Sequence, residues 1–192
     1  MKHLLTVISI LILLPAAAFA QQAEEDKEQL SNAIAYFNDS KYQEAALILR
    51  KLSDRYNLNS RYLAYLALCE HHLWNYKEAA DIFDEVIYDL DEYSKQEQNV
   101  YYFAAAESNF ELGNYKKAEK FYQFSLLICK SREKADIYYK LAFCHIREND
   151  NKQAAKLLQK SLDSYKKHPT GRDDSARLSQ IEKMLRGMKS EK

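Results

Sequence analysis

Apolar residues follow three patterns along the chain. From Leu4 to Leu14 they form an almost unbroken run, whereas from about Asp26 to Lys167 they alternate with polar residues at helical spacing. The clearest stretch is Ala104–Leu126, AAAESNFELGNYKKAEKFYQFSL, which predicts two amphipathic helices meeting at a Gly113-Asn114 turn. Ala105, Ala106 and Ala118 are small where two helices must approach closely. Phe121 and Tyr122 fill the space beside them, and Tyr115 anchors the corner. Near the end, Leu178, Ile181, Leu185 and Met188 make one apolar stripe, backed by Arg177, Gln180, Glu182, Lys183 and Arg186. Asp173, Asp174 and Ser175 offer N-caps, so a last helix is predicted over 173–189.

The central pattern recurs. Tyr42 in DSKYQEAALIL, Tyr76 in LWNYKEAADIF and Tyr115 in LGNYKKAEKFY mark the same corner at separations of 34 and 39 residues. Ala45, Ala79 and Ala118 follow three residues later, and RENDNKQAAKLLQKSL is a fourth copy with Asn151 and Ala154 in these places. The unit resembles the tetratricopeptide repeat, a helix–turn–helix of 34 residues that stacks on copies of itself. The resemblance implies an all-α, right-handed superhelical stack of about four units, near 26–59, 60–93, 99–132 and 135–168. The helix at 173–189 would then cap the last unit, with a membrane-surface helix as the alternative. Ala33, Ala67, Ala106 and Ala142 stand at helix crossings where family copies often carry Gly. Trp74 and Asn149 replace the usual turn Gly, and the proline that ends the family's second helix is missing, with Pro169 arriving late. Five extra residues fall within Asp91–Gln98, either as a polar linker after a lengthened second helix or as a binding lip.

Composition adds an address and an asymmetry. Met1-Lys2-His3, the short apolar run and Ala18-Phe19-Ala20 are the three parts of a secretory signal peptide, 1–20, cleaved after Ala20. The run is shorter than the ~20 residues of a spanning helix, so no integral membrane segment is expected after cleavage. The expected product is exported, periplasmic or extracellular, as one domain over 21–192. Only three Gly and two Pro occur in the whole chain, which favours helix throughout. Residues 21–98 carry 16 acidic against 8 basic side chains, and residues 99–192 carry 12 against 19. Such a bipolar chain suits a homo-oligomer joined acidic end to basic end, or two separate partners. The basic residues are spread along helices, which argues against nucleic acid. Cys69, Cys129 and Cys144 are an odd number, read as buried or packed thiols rather than a disulfide.

Catalytic chemistry is not signalled. The chain has no nucleotide-binding loop, no G-x-S-x-G and no H-E-x-x-H, so neither catalytic residues nor a cofactor is expected. His71 and His72 point about 100° apart on a helix. Convergence of Glu70, His71 and His145 on a metal is set aside in favour of a solvated face, and Asp81, Asp84 and Glu85 are expected on an outer surface. What remains is protein binding. By the resemblance, inner helices line a concave groove with Ile34, Phe37, Leu68, His71, Glu107, Phe110, Phe143 and Ile146, joined by Leu30, Ala64, Phe103 and Tyr139. The basic and Asn residues that clamp a peptide carboxylate in some family members are absent from these places, leaving an apolar, aromatic trough. Arg147 and Lys140 beside it would favour a ligand with an acidic flank. A register slip of one would make several of these residues core. The expectation is an envelope adaptor holding a partner's peptide or helix, with a self-associating array as the alternative.

Overall fold

The computed structural model describes residues 21–169 and 174–190; the leader expected over 1–20, and Asp173 at the start of the expected last helix, lie outside the described residues. Helix α1 covers 21–38. It is followed by α2 (Tyr42–Ser53), α3 (Ser60–His72), α4 (Tyr76–Val86), α5 (Lys95–Glu111), α6 (Tyr115–Ile128), α7 (Lys134–Arg147), α8 (Asn151–Lys167) and α9 (Ser175–Ser190). The described residues contain no strand, and none of their helices is long and apolar enough to cross a membrane. From α2 onward each helix packs on the next, and α3 also touches α5. The molecule is an all-α stack of helix pairs.

Every pair is closed by the same corner. Ser40, Trp74, Gly113 and Asn149 take left-handed φ values of 59°, 68°, 80° and 61°. The next residue's N–H then reaches back along the chain: Lys41 to the Tyr36 carbonyl (2.8 Å), Asn75 to Glu70 (2.9 Å), Asn114 to Asn109 (2.9 Å) and Asp150 to His145 (2.8 Å). The left-handed residue's own N–H donates to Phe37, His71, Phe110 and Ile146 respectively. This double closure satisfies carbonyls that a helix end otherwise leaves open. Loss of the turn Gly at Trp74 and Asn149 therefore leaves the corner intact and adds backbone strain instead.

The inserted stretch prolongs the second helix as a 3₁₀ turn and follows it with a short polar linker. Helix α4 stops at Val86, a 3₁₀ turn covers Ile87–Leu90, and α5 starts at Lys95 under a Ser94 cap whose hydroxyl accepts from Glu97 N–H (3.2 Å). Buried Gln98 ties the turn down, donating to the carbonyls of Asp91 (2.7 Å) and Tyr93 (2.8 Å).

Buried side chains form two clusters. Ala33, Ala45, Ala46, Leu49, Leu66 and Cys69 make the smaller one, and the larger runs from Ala64 through Phe83, Tyr101, Phe121 and Leu158 to Ile181. Helix α3 contributes to both, with Leu66 and Cys69 on one side and Ala64, Ala67 and Leu68 on the other. The small residues Ala33, Ala67, Ala106 and Ala142 are all fully buried, as close helix crossings require. Buried tyrosines keep their hydroxyls paired with carboxylates, Tyr101 with Glu97 (2.7 Å) and Tyr165 with Asp136, and exposed Tyr56 pairs with Asp26 in the same way (2.6 Å). The three cysteines are free; burial pushes the thiols of Cys69 and Cys144 up to about 12.

Helix α9 lays its stripe on the last repeat. Ile181 is fully buried, and Leu178, Met184, Leu185 and Met188 pack beside the core. Lys166 of α8 reaches Glu182 across the junction (3.4 Å).

Two stability outcomes follow. Ile181→Ala is expected to cost about 2–5 kcal/mol, measured by urea unfolding; a change within error would mean that α9 does not cap the stack. Trp74 is 78 % exposed, so its replacement loses little packing. Relieving its left-handed φ is expected to make Trp74→Gly melt about 2–4 °C higher.

Candidate functional site: the inner face

The inner face is built by α1, α3, α5 and α7, the first helix of each pair. Its members are joined by side chains one repeat apart. Phe37 meets Tyr65 edge-on, with ring centroids 4.9 Å apart. His71 Nδ1 lies 3.0 Å from the Ser108 hydroxyl, and Lys140 Nζ donates to Glu107 at 2.6 Å. Arg61 forks onto Glu97 (2.8 and 3.3 Å), with its guanidinium 5.0 Å from the Tyr93 ring centre. Arg177 of α9 lies 4.2 Å over the Tyr139 ring. Opposite charges one repeat apart, as in Glu107 and Lys140, were the available sequence signal for such pairs.

The nine positions expected to bind a partner divide into two groups. Ile34, Phe37, Phe103, Phe110, Phe143 and Ile146 are partly exposed and Arg147 is exposed, so these seven keep surface open to solvent. Leu68 and Tyr139 are buried instead and retain only 3 % and 6 % of their surface. Leu68 is covered because α3 has a neighbour at α5 as well as α4, and Tyr139 because the closing helix brings Arg177 over it. Ala64 is also core. The four aromatics of the last two full repeats do not form one continuous wall. Tyr139 and Phe143 touch (4.8 Å), whereas Phe103 leans on Tyr122 (5.8 Å) and Phe110 on Tyr115 (5.4 Å), each within its own repeat.

The middle of the face is polar rather than apolar. Glu107 receives both the Tyr122 hydroxyl and Lys140, and His71 stands beside it on α3. Towards the first repeat the face opens into a hollow of about 590 Å³, lined by Leu30, Ser31, Ile34 and Tyr62 among others. An apolar strip near the N-terminal end thus gives way to a charged centre and then to Phe143, Ile146 and Arg147.

Glu70 and the two histidines are not a solvated face. Glu70 is fully buried, with Arg50 Nη2 of α2 2.5 Å from one carboxylate oxygen and the Asn75 amide donating to the other at 2.9 Å. This ion pair fastens the first repeat to the second. His71 faces the groove, whereas His145 meets Glu119 of α6 and Asp150. The three residues therefore do not converge on one another. Asp81, Asp84 and Glu85 are exposed; Asp84 pairs with Lys117 of the following repeat.

Comparison with known proteins gives a consistent fold. Two tetratricopeptide repeat models match, one over residues 30–97 and one over 97–167. No curated protein matches the sequence. Among solved structures, the chain is similar to a MamA RS-1 double mutant at 14 % identity and TM-score 0.61, covering 86 % of this chain and 95 % of that one. It is also similar to apo RapI (14 %, TM-score 0.65), covering 87 % of this chain and 64 % of RapI. PcrH in complex with the chaperone binding region of PopD is a third likeness (18 %, TM-score 0.55), covering 68 % of this chain and 91 % of that one.

The groove histidine makes a pH prediction. Burial, followed by the neighbouring His72, holds His71 below its ordinary value, so the fold favours the neutral ring. The unfolded chain then takes up the proton first, and stability present above about pH 6.5 is lost as pH falls through that value. In urea unfolding at pH 7.5 and 5.5, His71→Gln is expected to lose less stability than the parent. An equal loss would mean that His71 is not a source of the slope.

Proposed function

Since the chain belongs to the tetratricopeptide repeat family, we propose that it is a non-enzymatic binding module holding a peptide or helix of a protein partner along its inner face. The observation that carries this reading is the row of partly exposed Ile34, Phe37, Phe103, Phe110, Phe143 and Ile146 around the Glu107–Lys140 centre. Apolar side chains supply contact area, and the charged centre fixes the orientation and register of what is bound. PcrH, a protein of similar fold, has been solved with a segment of its partner, and the same mode suits this chain. Arg147 at the edge favours an acidic flank on the ligand. The leader pattern over 1–20 supports a place in the cell envelope, where the partner would also reside.

A second reading rests on charge. Because the helices stack in chain order, the acidic and basic halves of the sequence lie towards opposite ends of the stack. Head-to-tail association of copies would bring them together, and gel filtration should then show oligomers at low salt that dissociate at high salt.

Phe110→Ala with Phe143→Ala is expected to abolish partner capture while helix content by circular dichroism is kept, since truncating a central aromatic commonly removes ~2 kcal/mol or more. Changing exposed Leu47 or Glu85 on the outer helices should leave capture unaltered. Should the aromatic pair also lower helix content, exposed Arg147→Glu supplies the decisive variant. Undiminished capture by Arg147→Glu and by a folded aromatic variant would remove the inner face as the site.

A further inference from the structure

Beside the corner between α7 and α8, away from the polar centre of the inner face, three metal-ligating side chains from two helices meet. Glu119 comes from the first turns of α6, His145 from the last turn of α7, and Glu148 from the residue that ends α7. One ligand atom from each lies within 4.8 Å of the others. We propose that Glu119, His145 and Glu148 form a binding site for a divalent transition-metal cation of the zinc type, joining the third repeat to the fourth.

The spacing favours a bridging cation over direct contact. His145 Nε2 lies 3.4 Å from Glu119 Oε1, longer than the roughly 2.7–2.9 Å of a charge-assisted hydrogen bond. Two ligands about 2.0–2.1 Å from a tetrahedral zinc stand about 3.3–3.4 Å from each other. The ring's other nitrogen, Nδ1, is 3.5 Å from Asp150 Oδ2. Asp150 is itself held in place, because its Oδ1 caps α8 by accepting the Gln153 N–H at 3.0 Å. A fixed carboxylate behind a histidine is the arrangement that orients a metal-bound imidazole. Asp150 would act as a positioning residue and not as a ligand.

The charge balance points the same way. Two carboxylates and a neutral imidazole present two negative charges. Glu119 otherwise receives only the Gln123 amide (2.9 Å), and Glu148 has no ion pair among the described residues. One nitrogen and two oxygens suit zinc, cobalt or nickel, whereas calcium takes six to eight oxygens. Glu148 is exposed, so water could complete the coordination of a bound cation.

The alternative occupant is a proton on His145, which would make the cluster a plain ion pair, and the experiment separates the two. The full chain, treated with chelator, is titrated with ZnCl2 by calorimetry and with CoCl2 by visible absorption. One equivalent per chain is expected, with a higher melting temperature in Zn2+ and none in Mg2+ or Ca2+. Glu119→Gln with Glu148→Gln is expected to weaken zinc at least 10-fold, and exposed Glu148→Gln alone decides the matter should the double variant fail to fold. Cys129→Ser is expected to bind as the parent does. Absence of zinc uptake, uptake unchanged in a folded Glu148→Gln variant, or uptake lost with Cys129→Ser would overturn the proposal.

Discussion

The left-handed corner is the constraint on which the stack depends. A helix pair can bury its apolar stripe on the next pair only if every pair folds back through the same angle, because an error at one corner would tilt all later repeats. Four residues of different chemistry, Ser40, Trp74, Gly113 and Asn149, are all held in one backbone conformation that only the glycine adopts freely. The closing hydrogen bonds impose it. Regularity at the level of the stack is thus maintained by backbone geometry, and the side chains at the tip are released for other uses.

The carbonyl that receives each closing bond belongs to Tyr36, Glu70, Asn109 and His145 in turn. These residues share one structural place just under the corner, and each repeat uses its side chain differently. Asn109 accepts the Asn114 amide at 3.3 Å and donates to the Ala105 carbonyl, staying within its own repeat. Glu70 reaches the repeat before it through Arg50, and His145 does the same through Glu119. A ladder-bound position under the corner that tolerates an aromatic, an acid, an amide or an imidazole is where a repeat protein can acquire local chemistry without disturbing the fold.

Helices, their order and the small residues at crossings were legible in the sequence because they depend on periodicity within one repeat. What was not legible depends on the neighbour. Glu70 looks like any charged residue at a helix end until Arg50 arrives from the preceding pair. Leu68 and Tyr139 occupy groove positions by register, yet α5 and α9 close over them. Gln98 gave no sign that it would staple the 91–98 insertion, since its acceptors are carbonyls of a turn with no sequence signature. Glu119 and His145 are 26 residues apart, so a search by local motif passes over them.

The divided core has a mechanical meaning. One cluster is gathered between α1, α2 and one side of α3, and the other extends from the far side of α3 to α9. Nearest-neighbour stacks come apart unit by unit, and a unit's resistance is set by the interface it shares with the next. Pulled from its N-terminal end, this chain would yield first at α3, shedding α1 and α2 while the longer block stayed folded. The Arg50–Glu70 clasp is the latch across that seam: the force needed to open it, rather than the melting of the whole, would decide how the protein behaves when its two ends are tethered to different things.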